Sequence, residues 1–172
     1  MADLRSLIRE IEGEVLGIVR FCADEVERQR ADPDAVCWMV QAWLDAMVVH
    51  RRASDRRGFA QEPPRITLED VSRWGALIEP TKNPGGGLFR VQELRIGSHL
   101  FPQAVLVPAL LKDLLDRQHQ MEPDDFYLAF EEVHPFLDGN GRCGKIILGW
   151  LSDHLDHPER MVIPNPWGIP NP

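Results

Sequence analysis

The chain has 172 residues, of which 44% are hydrophobic and 27% charged, and its net charge is −8. This composition is typical of a globular protein, and no apolar run approaches the roughly 18 residues that a membrane-spanning helix needs. The acidic balance also argues against a broad nucleic-acid-binding surface, which would need lysine and arginine to replace condensed counterions. We therefore expect a protein that neither spans a membrane nor binds nucleic acid.

Three local features bear on where the protein works. The start, MADLRSLIREIEGE, is amphipathic and charged and lacks the apolar block of a secretory signal. The three cysteines are widely spaced and show no pairing pattern, which is typical of a reducing compartment. The basic cluster HRRASDRRG at 50–58 has no interleaved aromatic residues, which favours a helix end and a solvated loop over a nucleic-acid site. These features predict a cytoplasmic location, although an effector exported by a specialised machine would share them.

The first half of the chain predicts three helices. Apolar residues recur every three or four positions from Leu4 onward, which predicts a helix over 3–30. The run Asp32-Pro33-Asp34 ends it and starts a second helix with its own apolar face. A loop is expected from Gly58 to Pro64, and Thr67, three residues before an aspartate, resembles the capping box of a third helix.

The second half predicts a small hairpin and three more helices. NPGGGLF is a connector without periodicity, and VQELRIGSHLF alternates around Gly97, which suits the first central position of a type II′ turn. Helices are expected over 104–118, 124–133 and about 141–155, followed by a tail with too many prolines to be helical. The sequence thus predicts an all-α helical bundle with one small β-hairpin.

The turn between the last two helices carries the chemistry. In HPFLDGNGRCGK, the run Gly139-Asn140-Gly141 can turn several N–H groups toward one anion at the start of a helix. Arg142 and Lys145 follow on the first turn, where cations oppose the helix dipole unless an anionic ligand is bound. Asp138 would oppose that anion unless Mg²⁺ lay between them, and His134 can accept a proton from a hydroxyl at neutral pH.

Two plainer interpretations stand beside this one. A helix, a Pro/Gly turn and another helix also form an ordinary hairpin, in which aspartate and asparagine are common turn residues. A second candidate metal site, His154 with His157 in SDHLDH, has no convincing third ligand for zinc.

The sequence HPFLDGNGRCGK resembles the signature of Fic-domain proteins, His-Pro-Phe-x-Asp/Glu-Gly-Asn-Gly-Arg-x-x-Arg, at every specified position except the last. The segment GGLFRVQELRIGSHLFP also looks like the family's β-hairpin flap. The resemblance implies a Fic-fold core over 59–163, a helical extension over 1–58 packed on it, and a Pro-rich tail over 164–172.

The resemblance also implies an activity: Mg²⁺-dependent transfer of AMP from ATP to a Ser, Thr or Tyr hydroxyl of a target protein. His134 would be the general base, and Asp138 would hold Mg²⁺. The nucleotide's phosphates would be bound by Gly139, Asn140, Gly141, Arg142 and Lys145. The flap would pair with an extended target segment through Leu94, Arg95, Ile96 and Gly97.

Lys145 is the departure from the pattern, because the family has a second arginine there. Lysine keeps the charge but loses the planar fork, so we expect weaker ATP positioning or a different donor, such as another nucleotide or a nucleotide-linked group. A protein that acts by binding alone is a third hypothesis. The resemblance implies that a kinase reaction is disfavoured, because the family's kinase-like toxins have lysine at the position of Gly141.

The family's inhibitory helix carries Ser/Thr-x-x-x-Glu-Gly/Asn, and Glu12-Gly13 offers its second half, although Ile8 stands where Ser or Thr is expected. One hypothesis is that Glu12 reaches Lys145 and restrains the nucleotide. The other is that Glu12 is an exposed residue of an amphipathic helix. The sequence leaves open whether an antitoxin-like regulator or a homo-oligomer controls activity instead.

Overall fold

A computed structural model describes residues 4–57, 64–83 and 89–166. The predicted loop from Gly58 and most of the Gly-rich connector lie outside these residues, and the Pro-rich tail is described only as far as Pro166. The division of the chain into three segments therefore stays a prediction.

Helices dominate the described residues, as the sequence predicts, and the all-α class with one hairpin is confirmed. In chain order the elements are α1 (Leu4–Arg28), α2 (Ala35–Arg57), α3 (Leu68–Ile78), β1 (Arg95–Ile96), β2 (His99–Leu100), α4 (Val107–Asp116), α5 (Pro123–Val133) and α6 (Asn140–Leu151). Short 3₁₀ turns at Ala104–Leu106 and Pro158–Arg160 precede α4 and follow α6. None of the described helices is long and apolar enough to cross a lipid bilayer.

Two predicted features of the local structure are confirmed. The Thr67 hydroxyl accepts from the Asp70 N–H at 3.1 Å, and the Asp70 carboxylate accepts from the Thr67 N–H at 2.9 Å, which completes a capping box on α3. In the hairpin, Ile96 pairs with His99, so Gly97 is the first turn residue, and its φ of +59° suits glycine.

The last helix ends at Leu151 rather than at Leu155 as predicted. Asp153 takes a left-handed φ of +58°, and the His154 N–H donates back to the Gly149 carbonyl at 2.8 Å. This hydrogen-bonding pattern satisfies the last carbonyls and reverses the chain. Helical periodicity alone does not reveal such a stop when the left-handed residue is not glycine.

One hydrophobic core joins the helices, and it includes the buried stripe of α1. Ile18, Cys22 and Val26 of that stripe pack in the same cluster as the buried residues of α2, α3, α5 and α6. The carboxyl-terminal end of α1 is thereby held against the beginning of α6, which is the part of the bundle that carries the motif.

Candidate functional site

His134 ends α5 in a strained conformation that fixes its ring. Its backbone lies in the left-handed region, with φ 48° and ψ 63°, and its N–H closes the last helical hydrogen bond to Phe130 at 3.0 Å. The ring Nδ1 lies 3.1 Å from the Glu131 carbonyl oxygen, which can only accept, so Nδ1 carries the proton. Nε2 is left with its lone pair free to accept a proton.

The environment of the imidazole keeps it neutral. Burial lowers the pKa of His134 to about 4, and the neighbouring Arg90 guanidinium, which donates to the His134 carbonyl at 2.7 Å, acts in the same direction. The Phe101 ring lies against the imidazole with 4.1 Å between the ring centroids. At neutral pH the side chain is therefore a positioned proton acceptor rather than a cation.

The loop after His134 is held by two interlocking contacts. The Phe136 ring inserts against α3 at Gly75, where an added Cβ would lie 2.2 Å from the ring. The Asn140 side chain accepts from the Phe136 N–H at 2.8 Å and donates to the Phe136 carbonyl at 2.9 Å. Gly139 takes a φ of +80° to start α6, so the loop enters the helix in a fixed orientation.

Asp138 presents a carboxylate beside the start of α6. One oxygen accepts from the Gly139 N–H at 2.6 Å, and the other contacts the Lys82 ammonium. Burial opposes ionisation, but the hydrogen bonds from Lys82 and Gly139 outweigh it and hold the pKa of Asp138 below its ordinary value. The group is ionised at neutral pH.

The donor set around Asp138 fits Mg²⁺ only together with a phosphate ligand. Among the residues that the structure describes, no three His, Cys, Asp or Glu side chains converge on a common point, so neither Asp138 nor the pair His154 and His157 belongs to an all-protein metal cage. Mg²⁺ commonly binds through one or two carboxylates plus substrate phosphates, and one ionised carboxylate suffices for that arrangement.

The two cations of the motif point to different sides of α6. Arg142 is fully buried and donates to the Glu79 carboxylate at 3.0 Å and to the Ile78 carbonyl at 3.2 Å, both at the end of α3. Lys145 is equally buried, and its ammonium lies 2.7 Å from the Glu25 carboxylate of α1. Each cation of the motif therefore contacts a carboxylate within the protein, and its predicted phosphate contact stays a prediction.

Glu25 sits in a small network of charged groups on α1. Arg28 donates to both of its carboxylate oxygens, at 2.7 and 3.0 Å, and Gln29 also contacts it. Burial disfavours the carboxylate, but Arg28 and Lys145 together hold the pKa of Glu25 below its ordinary value. Burial lowers the pKa of Lys145, and the Glu25 carboxylate opposes that change.

A cavity of about 710 Å³ joins these groups. The motif contributes His134, Asp138 and the run 139–141, while Glu25 and Lys145 line the α1 side. Of the predicted flap residues, Leu94 and Ile96 line the cavity. Arg95 is exposed and donates to the Gly97 carbonyl at 2.8 Å. Arg142 is absent from the described residues that line the cavity, so its predicted phosphate contact stays a prediction.

The profile of the Fic/DOC family matches residues 65–152, which is half of the chain and spans the motif, the flap and the helices that hold them. The chain belongs to the Fic/DOC family. Protein adenylyltransferase Fic of Drosophila ananassae is 26% identical over 109 residues, which cover 58% of this chain and 22% of the relative. A Fido domain-containing protein of Dictyostelium discoideum is 28% identical over 71 residues, covering 36% of this chain and 50% of the relative.

Solved Fic structures share the fold at lower sequence identity. A Fic family protein from Desulfovibrio desulfuricans G20 superposes with a TM-score of 0.55 at 20% identity, covering 91% of this chain and 53% of that one. The structure of IbpAFic2 covalently tethered to Cdc42 gives a TM-score of 0.59 at 18% identity, covering 85% and 49%. The chain thus spans about a fifth of the length of the Drosophila relative and about half of these structures.

The sequence prediction placed Glu12 at the site, where it does not lie, and it missed one segment that lines the cavity. Glu12 is exposed and lies 13 residues before Glu25, about 20 Å away along a helix, so it does not reach Lys145. The signal for Glu25 was available, because this acidic residue follows Ile18 and Cys22 in the buried stripe of α1. The missed segment is 163–166, which lines the cavity.

Proposed function

We propose that this Fic/DOC protein transfers AMP from ATP to a Ser, Thr or Tyr hydroxyl of a target protein. The observation that carries the proposal is the neutral His134, which lines the same cavity as the start of α6 and the ionised Asp138. A proton acceptor, an anion-binding helix start and a carboxylate are the groups that phosphoryl-type transfer requires.

In this reaction each group of the site has a separate role. The hydroxyl proton passes to Nε2 of His134 while the hydroxyl oxygen forms a bond to the α-phosphorus, and the bond from that phosphorus to pyrophosphate breaks. The N–H groups at the start of α6 bind the phosphate oxygens, and Asn140 keeps the loop in place through Phe136. Mg²⁺, held by Asp138 together with the phosphates, would neutralise negative charge on them.

The flap is the proposed docking site for the target. Strand β1 pairs only with β2 among the described residues, so its other edge is open to an added strand. Ile96 on that strand is mostly exposed and lines the same cavity as His134, which supports docking of the target segment beside His134. The solved relative tethered to Cdc42 supports a protein as the acceptor class.

Restraint of this activity is assigned to Glu25 in place of Glu12. In the structure Glu25 holds Lys145, the last residue of the motif, through a buried ion pair of 2.7 Å. A phosphate that needs Lys145 must first separate it from Glu25, so the pair competes with the donor. This restraint lies within the chain and requires neither an antitoxin-like regulator nor a homo-oligomer.

A second candidate function uses the same residues with a different donor. Asp24, Glu25 and Glu131 all line the cavity, and burial raises the pKa of Glu131 to about 7. These acidic groups disfavour a chain of three phosphates and favour a nucleotide-linked donor with less charge on its distal part.

The test incubates the wild-type protein, His134→Ala and Glu25→Gln with ATP labelled on the α- or the γ-phosphate and with the other nucleoside triphosphates, in lysate containing Mg²⁺. Label transferred to protein from the α-position and lost in His134→Ala supports the proposal. More label per folded molecule in Glu25→Gln, with the folded fraction measured by urea denaturation, supports the restraint by Glu25. Glu27→Gln is the matched control, because Glu27 is exposed on the same helix. Transfer of the γ-label, or transfer that survives His134→Ala, would refute it.

A further inference from the structure

The two motif cations are not free to bind phosphate in this structure. Arg142 is 0% exposed and pairs with Glu79, and Lys145 is 1% exposed and pairs with Glu25. A donor nucleotide nevertheless brings several negative charges, and the ionised Asp138 adds another, so the N–H groups at the start of α6 do not balance them alone. Arg142 also lies 3.5 Å from the Asp138 carboxylate, but it is fully buried, so an exposed cation near Asp138 would be better placed to meet the donor.

Lys82 is not among the described residues that line the cavity, but it contacts Asp138, which does line it. Its ammonium contacts the Asp138 oxygen that is not bound to the Gly139 N–H. Lys82 also keeps 57% of its side chain exposed, so its stem is not packed in the core. The carboxylate of Asp138 raises the pKa of Lys82, and the side chain is a full cation at neutral pH.

The backbone around Lys82 is fixed to the motif although its side chain is mostly exposed. The Asn83 side chain donates to the Asp138 carbonyl at 3.0 Å and to the Gly75 carbonyl at 3.1 Å. The Lys82 and Asn83 N–H groups both donate to the Glu79 carbonyl, at 3.3 and 2.9 Å. These bonds hold the Lys82 backbone beside the motif loop, within one side-chain length of Asp138.

The contact between Lys82 and Asp138 is also easy to exchange. Exposed ion pairs contribute little to stability, since water and salt screen them. A lysine ammonium is a compact charge on a flexible stem, so it can turn from one oxygen to another at small cost. The buried pairs of Arg142 and Lys145 lack this freedom.

We propose that Lys82 is a phosphate-binding residue for the donor and that it pairs with Asp138 when no donor is bound. When the donor enters with its divalent cation, Lys82 releases the Asp138 oxygen and donates to the phosphate oxygens beyond the α-phosphate, which leave as pyrophosphate. This role rests on the proposed function. It assigns Lys82, a residue 52 positions before the motif, to the same site.

The test measures binding rather than turnover, using the full chain with Lys82→Met, Lys82→Arg and Lys112→Met. Lys112 is the matched control, because it is an exposed lysine paired with Asp116 on α4, away from the cavity. Three ligands are titrated by calorimetry: Mn²⁺ alone, Mg²⁺ with pyrophosphate, and AMP.

The proposal predicts effects of opposite sign in Lys82→Met. Affinity for Mg²⁺ with pyrophosphate should fall about tenfold, as expected for one charge-assisted hydrogen bond. Affinity for Mn²⁺ alone should rise about threefold, because the competing cation is gone from Asp138. AMP binding should be unchanged, Lys82→Arg should retain pyrophosphate binding, and Lys112→Met should behave as wild type.

The outcomes separate this inference from the proposed function. If wild type binds pyrophosphate and AMP but Lys82→Met binds both equally well, the role of Lys82 is refuted and the proposed function survives. If Lys82→Met weakens all three ligands together, Lys82 only supports the loop, and the proposal fails. If wild type binds neither pyrophosphate nor AMP, the proposed function fails and this inference fails with it.

Discussion

Replacing Glu25 with glutamine should destabilise the protein, because Lys145 would remain buried without its counter-ion. Both side chains of the pair are less than 5% exposed, and removing one partner of such a pair costs about 3–5 kcal/mol. The other course open to Lys145 is to lose its proton. An amine with an ordinary pKa of about 10.4 needs about 4.6 kcal/mol to be neutral at pH 7. The cost of leaving Lys145 charged and unpaired and the cost of removing its proton are similar. We therefore expect the free energy of unfolding to fall by about 3–5 kcal/mol.

The pH dependence identifies the cause of that loss. In Glu25→Gln without a bound phosphate, a neutral Lys145 binds no proton in the folded state, whereas the unfolded chain keeps its proton until about pH 10.4. Stability therefore rises with pH in the variant, and its deficit relative to wild type should shrink between pH 7 and 9. Urea denaturation at both values measures the two free energies of unfolding.

Two further variants make the experiment decisive. Glu25→Gln combined with Lys145→Met should recover most of the stability, since an apolar side chain of similar size has no charge to leave unpaired. Glu27→Gln, at an exposed position on the same helix, should change stability by less than about 0.5 kcal/mol. A Glu25→Gln deficit below about 1 kcal/mol, or one that does not change with pH, would refute the reasoning.

Three other predictions follow from the loop and its neighbours. Burial lowers the pKa of His134 to about 4, so unfolding takes up a proton between about pH 6.5 and 4. The free energy of unfolding is therefore full above that range and falls by about 3 kcal/mol across it. In urea titrations, His134→Asn should flatten this dependence on pH. Gly75→Ala would place its Cβ 2.2 Å from the Phe136 ring and should lower the free energy of unfolding by about 1–3 kcal/mol in thermal melts. Gly13→Ala has open space around the added Cβ and should raise the free energy of unfolding by about 0.5–1 kcal/mol. Asn140→Asp loses the donor to the Phe136 carbonyl and should lower the free energy of unfolding by about 1–3 kcal/mol in the same melts. An unchanged melting temperature would contradict the stabilising role of the hydrogen bonds between Asn140 and Phe136.

The local parts of the site could be predicted from the sequence. His134, Asp138 and the run 139–141 follow one another within eight positions, and the conformation of such a turn depends mostly on its own glycines and caps. The capping box at Thr67 and the turn at Gly97 were predictable for the same reason. Each of these features is decided by neighbours in the chain.

The partners of the motif cations could not be predicted in this way. Two cations at the start of α6 predict that an anionic ligand supplies negative charge nearby. The negative charge turned out to include Glu79 and Glu25, which stand 63 and 120 positions before Arg142 and Lys145 and reach them only through the packing of three helices. Periodicity identifies a buried face, but it does not say which residue of another helix lies across from it.

Under the proposed function, the docking of α1 would determine how strongly the protein responds to its donor. Glu25 follows the buried residues Ile18 and Cys22, so withdrawing it by moving α1 would expose part of the core and would create an undocked population beside the docked one. A donor that binds only the undocked population has its apparent affinity reduced by the undocked fraction, about a hundredfold if that fraction is 1%. Any partner or substitution that loosens the packing of α1 would then raise apparent affinity without touching the nucleotide, so under the proposed function the packing of the core would set the basal rate of transfer.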